Sequence, residues 1–338
     1  MRRGSIVQLL LFALVAGGAA ATLALVPGWL PTPASREAGR IDFVFWFVTV
    51  ICVAIFAIVA AVIVYSLLKF RVRPDDDSDG EPIHGHTGLE IAWTAVPTVL
   101  VIAIAVVSAI VLAKNGHAGA NPYRVNVRAQ QFAWSFSYPS KGGVTSGTLR
   151  LPVDRSVKLY MRSKETDVIH SFWVPEFGQK QDLLPGETTT LVITPDRVGT
   201  YPVVCTELCG LGHSVMRTKA IVMTQPAFNA WIRAQGKAAN AGGSQGGKAA
   251  FVANGCGSCH TFAAAGTTGK IGPDLDKLPQ YAQQAGKPLD AFVHESIVDS
   301  KAYVQSGYQP VMPSFASLPK NQVDALVQFL TGGKKGGA

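Results

Sequence analysis

Charge is scarce in this chain. Of its 338 residues 15% are charged and 48% hydrophobic, with a net charge of +8 and a mean hydropathy of +0.23. So apolar a composition argues against a wholly soluble protein and places part of the chain in lipid. The positive balance would suit nucleic acid, but no basic run is interleaved with aromatics, so nucleic acid is not an expected partner. Cysteine is scarce as well, with five residues, an odd number, which removes a disulfide framework as the organising principle. None precedes Cys52, so the N-terminus has no thiol to carry a lipid anchor. At this length two or more domains are expected.

What is present divides along the chain. The start, MRRGSIVQLLLFALVAGGAAATLALVPGW, has a basic tip, an apolar core and small residues after it. It reads as a secretory signal, with cleavage favoured, or else as a retained first membrane helix. No charged residue occurs from Phe43 to Leu68, and Ile91 to Leu112 is a second such run, interrupted only by Pro97. Each is long enough to cross a bilayer core of about 30 Å as a helix. Lys69, Arg71 and Arg73 follow the first run, so the positive-inside rule puts the connecting loop, with its acidic DDDSDGE, in the cytoplasm. Everything beyond Lys114 is then extracytoplasmic.

Past the second span the texture changes. RVNVRAQQFAWSFSY, SVKLYMRS, TTTLVITP, GTYPVVC and RTKAIVMT are short, rich in Val, Thr and aromatics, and separated by Gly and Pro turns. They predict an all-β antiparallel sandwich or barrel. RAQGKAANAGGSQGG predicts a flexible linker. From about Gly247 the pattern is helical, ending in NQVDALVQFL, with Asn321 as the expected cap and Gly332 as the stop. The expected division is 1–34 for the signal or first helix, 41–113 for a transmembrane hairpin and 120–232 for the β domain. A linker over 233–246 and a small α domain over 247–333 complete it.

Chemistry concentrates in CTELCGLGHSVM, from Cys205 to Met216. Thiolates with imidazole suit copper, zinc or iron–sulfur clusters, and a thioether favours copper. A structural zinc site needs four Cys or His and has no use for Met216. The stretch supplies three, so a ligand must come from elsewhere. His84 and His86 fall in the cytoplasmic loop and His117 abuts the membrane, leaving His170 in DVIHSFWVPEF, with His294 as the weaker rival. Cys205 and Cys209 can bridge two coppers, each capped by one histidine, with Met216 and the Glu207 carbonyl as weak axial ligands. A Cys205–Cys209 disulfide is the competing reading, and a one-copper site would leave one cysteine unexplained.

The pattern C-x-E-x-C-G-x-x-H-x-x-M, preceded by H-S-F-W-V-P, resembles subunit II of haem–copper cytochrome c oxidases. The resemblance implies a cupredoxin-like Greek-key fold and the dinuclear copper centre called CuA. Its ligands would be His170, Cys205, Glu207 through its carbonyl, Cys209, His213 and Met216. It also implies magnesium on the Glu207 side chain at the boundary with subunit I. Glu90, in HGHTGLEIAWTAVP, would lie at the mouth of a proton pathway, and Trp134 near the copper. Phe132 stands where many members carry an exposed tryptophan through which electrons arrive, a departure that argues against an ordinary free cytochrome docking there.

CGSCH, from Cys256 to His260, is a c-type haem attachment signature, in which the thiols form thioethers and His260 is the proximal ligand. Of five methionines only Met312, in QPVMPSF, follows it, and His294 competes for the sixth position. The Met–Pro pair resembles the ligand loop of class I cytochromes c. GPDL, with Pro273, resembles the segment whose carbonyl accepts the proximal histidine's hydrogen bond.

A subunit II with a fused cytochrome c resembles the caa-type oxidases. The implied function is to pass electrons from an external donor, a cytochrome or a quinol-oxidising complex, through haem c and CuA to subunit I. Oxygen is reduced and protons are pumped there, so no catalytic residue is expected in this chain. Subunits I and III are the expected partners, in the cell membrane, with the copper and haem domains outside. The rival functions are the copper-bearing small subunit of a nitric oxide reductase and a membrane-anchored electron carrier that is no enzyme. A quinol oxidase subunit is disfavoured because that branch lacks these copper ligands.

Overall fold

In a computed structural model the described residues are 3–332 apart from 72–74, 76–81, 83, 142–143, 241–242 and 317. Arg73, most of the acidic run and part of the expected linker lie outside them. The chain forms two compact units, residues 1–33 with 39–115, and residues 34–38 with 116–338.

The first unit consists of α1 (Arg3–Leu25), α2 (Arg36–Lys69) and α3 (Thr87–Gly116). All three are long and apolar enough to cross a membrane, whereas the sequence pattern marked two spans and favoured cleavage of the first segment. Large side chains such as Leu14, Val50, Leu68 and Val101 stay exposed, as a lipid-facing surface requires. Small residues let α1 approach α2: a Cβ on Gly17 would meet that of Ala57 at 3.2 Å. Pro97 is carried inside α3. His86 opens that helix, its Nδ1 accepting from the Leu89 N–H at 3.2 Å, while its own N–H donates to Glu90 Oε1 at 3.1 Å.

The second unit begins with a sandwich of ten strands. These are β1 (Tyr123–Gln130), β2 (Ala133–Tyr138), β3 (Val144–Ser146), β4 (Leu149–Pro152), β5 (Val157–Ser163), β6 (His170–Trp173), β7 (Lys180–Leu183), β8 (Thr189–Ile193), β9 (Gly199–Cys205) and β10 (Arg217–Met223). One sheet has the order β3-β2-β1-β5-β8 and the other β4-β10-β9-β6-β7. The expected antiparallel pairing holds except that β1 pairs with β5, and β10 with β4, in parallel. These pairs arise because β4 and then β5 cross between the sheets. Alternation does the sorting: Val157, Leu159, Met161 and Ser163 of β5 point inward, and the residues between them do not. Phe136, Tyr138, Phe172, Leu149 and Leu151 complete a core of fully buried side chains, each contributing about 1.5–3 kcal/mol. Tyr138 keeps its hydroxyl satisfied there, donating to the Arg150 carbonyl at 3.0 Å and accepting from the Arg150 N–H at 2.7 Å.

Where a flexible linker was expected, the described residues are helical, in α4 (Gln225–Asn240) and α5 (Gly243–Ala253). Phe228 and Ile232 of α4 are buried in the sandwich core, and Trp231 packs against it. After α5 come α6 (Cys256–Cys259), a small hairpin of β11 (His260–Phe262) and β12 (Thr267–Lys270), α7 (Leu278–Gln284), α8 (Leu289–Val298) and α9 (Lys320–Leu330). Helices α5 and α9 cross at Gly247, where a Cβ would fall 2.0 Å from the Ala325 carbonyl oxygen. Phe251, Phe262 and Phe329 lock that crossing, with ring centroids 5.3 to 5.8 Å apart. The cap of α9 is Pro319, so Asn321 falls within its first turn; Gly332, with φ 64°, ends the chain's last helix as expected.

Candidate metal centre and haem pocket

Cys205 closes β9, and the loop from it to β10 carries Cys209, His213 and Met216. Backbone bonds fix both ends of this loop: Cys205 N–H donates to the Met216 carbonyl at 3.2 Å, and Thr206 N–H to that of Ser171 at 3.0 Å. His170 opens β6, the neighbour of β9, and its register sets Phe172 opposite Cys205. All the sequence-predicted donors therefore meet. The Cys205 Sγ lies 3.9 Å from Cys209 Sγ, 3.9 Å from His170 Nδ1 and 3.3 Å from the Glu207 carbonyl oxygen. The Cys209 Sγ lies 3.5 Å from His213 Nδ1 and 3.7 Å from Met216 Sδ. Both cysteines are free thiols, in place of the competing disulfide.

The electrostatics of the cluster suit a cation. Burial opposes ionisation of Cys205, but its contacts with His170 and with the backbone of Ser171 and Glu207 bring its pKa down to about 7. Burial and the adjoining Cys205 push Cys209 up to about 12. One negative charge is readily held and a second is resisted, a resistance that a cation at the cluster would relieve. Soft sulfur, imidazole and thioether donors in one buried cluster fit copper.

Two residues that the sequence pattern did not mark support this cluster. Asp167 Oδ2 lies 3.5 Å from His170 Nε2, the ring nitrogen turned away from the sulfurs. Burial would raise the Asp167 pKa, yet His170 and the N–H groups of Val168 and Gln131 hold it low. Burial likewise works against a charged His170, and Asp167 with Cys205 more than offsets it, so its pKa is raised. Gln131 donates its side-chain amide to the Cys209 carbonyl at 2.5 Å. The D-x-x-H spacing was a usable signal for Asp167; nothing local to Gln131 announced its partner, 78 residues away.

Trp134 is buried, donates its Nε1–H to the Met216 carbonyl at 3.3 Å and meets the His170 ring edge-on at 6.5 Å. Phe132 is buried too, 5% exposed, unlike the exposed aromatic of the resemblance. The Glu207 side chain is exposed, and Glu90 lies outside this unit, at the start of α3.

The second candidate site is a cavity in the α domain. Cys256, Cys259, His260 and Met312 all line it, with apolar Leu278, Phe292 and Ile297. His260 donates Nδ1–H to the Pro273 carbonyl at 2.7 Å, which leaves Nε2 as the free electron pair. Burial lowers its pKa and keeps the ring neutral, as a metal ligand must be. Gly272 makes room for it, since a Cβ there would fall 2.4 Å from the ring. Ser300 Oγ fixes the Met312 segment by donating to its carbonyl at 2.7 Å. His294, the rival in both assignments, is exposed on α8 and lines no part of this cavity. Paired thiols, a neutral buried imidazole and a thioether around an apolar cavity fit a covalently attached haem c. Phe132 and Ala133 of the sandwich also line the cavity.

A membrane-anchored sandwich with a sulfur–imidazole loop, followed by a cytochrome c fold, defines the electron-accepting subunits of haem–copper oxidases. Three family profiles match in succession: cytochrome c oxidase subunit II transmembrane domain over residues 25–111, its periplasmic domain over 144–224, and cytochrome c over 244–334. The chain is 35% identical over 258 residues to cytochrome c oxidase subunit 2 of Synechocystis sp., covering 62% of this chain and 77% of that one. It is 34% identical over 259 residues to the Thermostichus vulcanus protein of the same name, 61% of this chain and 78% of that one. The Alkalihalophilus pseudofirmus protein is 28% identical over 298 residues, 83% and 84% of the two chains. The chain belongs to the cytochrome c oxidase subunit 2 family and carries a cytochrome c domain, as caa-type members do. It is thus a subunit of a haem–copper oxidase, a membrane protein partnered by subunit I, with extracytoplasmic domains.

Proposed function

We propose that this chain delivers electrons to the oxygen-reducing subunit from two centres of its own. His170, Cys205, the Glu207 carbonyl, Cys209, His213 and Met216 hold a dinuclear copper centre, and Cys256, Cys259, His260 and Met312 hold haem c. When bound, these groups supply reversible one-electron chemistry, by which electrons from an external donor reach subunit I, where oxygen becomes water. The protein's own part is to fix donor atoms in advance. Strands β6 and β9 hold His170 and Cys205 in register, Asp167 orients the His170 ring, and Trp134 anchors the Met216 carbonyl. Burial of both thiols excludes water, and so limits the rearrangement that accompanies a change of charge.

The observation that carries this reading is the pair of unbonded Cys205 and Cys209 sulfurs, 3.9 Å apart, with two imidazoles, a thioether and a carbonyl about them. The exposed Glu207 side chain is offered for magnesium at the subunit I boundary. Glu90 is offered for proton uptake, although its contact with the His86 N–H already gives it a helix-capping role. The cell membrane, subunit III and a cytochrome or quinol-oxidising donor complete the proposal. Neither a nitric oxide reductase subunit nor a lone carrier is favoured by the family membership. Metal analysis of the purified complex, with its optical and EPR spectra, is expected to give two coppers and one covalent haem beyond those that subunit I carries. One such copper, or none, overturns the reading.

A further inference from the structure

The turn between β1 and β2 lies against both the sulfur–imidazole loop and the cavity of the α domain. The Gln131 backbone N–H donates to Asp167 Oδ2 at 2.7 Å, the same oxygen that lies 3.5 Å from His170 Nε2. Its side-chain amide donates to the Cys209 carbonyl at 2.5 Å. One residue is thus bonded towards both arms of the sulfur–imidazole cluster, the β6 arm and the loop arm. The next residue, Phe132, lies flat against the loop: a Cβ on Gly212 would sit 2.5 Å from its ring. Gly210, with φ 120°, leaves the same room for the Gln131 amide, which a Cβ would meet at 2.8 Å. On its other side the turn walls the haem cavity through Phe132 and Ala133, and Ala133 abuts Gly255, just before Cys256.

We propose that Gln131 is a positioning residue for electron transfer between the two centres, its side-chain amide holding the copper loop in register with the Phe132–Ala133 wall of the haem cavity. This rests on the reading of both centres given above. An amide is well matched to this role, because it donates a hydrogen bond without placing a charge beside sulfurs whose own charge changes. The link is short and part-buried, and it is the side chain, not the backbone, that reaches the loop.

The test uses the full chain in its oxidase complex, with Gln131→Met and Gln131→Ile, which remove the donor without adding a charge. Both are expected to slow haem-to-copper electron transfer after rapid photoreduction of the haem by about fivefold, because losing one ordinary hydrogen bond lowers the population of the in-register loop by about that factor. Both are also expected to alter the copper EPR hyperfine pattern, with copper content and the haem c spectrum unchanged. A wild-type rate and copper signature in both variants overturns the proposal. So does a change in only one of them, since that would reflect shape and not the missing donor. A variant that fails to assemble is replaced by Gln131→Leu and read in the same way. If the wild-type complex lacks the paired-copper or the haem c signal, the reading of the centres falls and the proposal with it, an outcome visible before any variant is made.

Discussion

The copper loop and the haem cavity, which share one compact unit, are built on opposite plans. At the loop, the ligand atoms of His170, Cys205 and Cys209 all lie within 4.8 Å of one another, and the register of β6 on β9 places His170 and Cys205. In the α domain two thiols, an imidazole and a thioether are spread around an apolar hollow, and aromatic packing between α5 and α9 holds the walls. A site for small ions is completed by the protein's hydrogen bonds. A site for a large flat group is shaped chiefly by apolar side chains.

The sharpest way to break this contrast is to remove a sulfur. Cys205→Ser is expected to abolish the paired-copper EPR signal and cut oxygen consumption by more than about a hundredfold, beyond the 10–100-fold that outer partners command. The haem c spectrum should survive, because no residue of β9 lines the cavity. A surviving copper-pair signal would remove Cys205 from the ligand set. The converse variant is Phe251→Ala, which deletes a fully buried ring at the α5–α9 crossing. It should destabilise the α domain by about 3–5 kcal/mol, read as earlier thermal loss of the haem absorbance. The copper signal should hold to the wild-type temperature. Coincident melting would mean that the two regions unfold as one. The smallest effect is expected from Asp167→Asn, which weakens the orientation of His170 and should lower copper affinity by about tenfold in a competitive chelator titration. Unchanged affinity would reduce Asp167 to a brace for Gln131 alone.

How much of the molecule was legible in its sequence follows the same division. Ligands close in sequence announced themselves, as in Cys205 to Met216 and Cys256 to His260. His170 emerged by elimination because few histidines lie outside the membrane segments and the other motif. The strands were legible from period-two alternation, yet their parallel pairs were not, since pairing is a property of distant segments. Gln131 was missed because hydrogen bonds spanning 36 and 78 residues leave no local trace, whereas Asp167, three residues before His170, was legible and passed over. The helical run after β10 was misjudged for a different reason. Its Ala and Gly were weighed as flexibility, while Phe228, Trp231 and Ile232 already stood at helical spacing and Ala favours the helix.

That misjudged helix has a practical consequence. Because Phe228 sits at 0% exposure beneath Tyr138 and Trp231, α4 is the plug of the sandwich as much as the start of the next domain. A recombinant copper fragment trimmed back to the end of β10 would open a hole under Tyr138 and uncover an oily floor prone to aggregation. One extended through Ile232 keeps its stopper. The natural cutting point between the two redox modules therefore lies inside a helix, several residues beyond where the sheet ends.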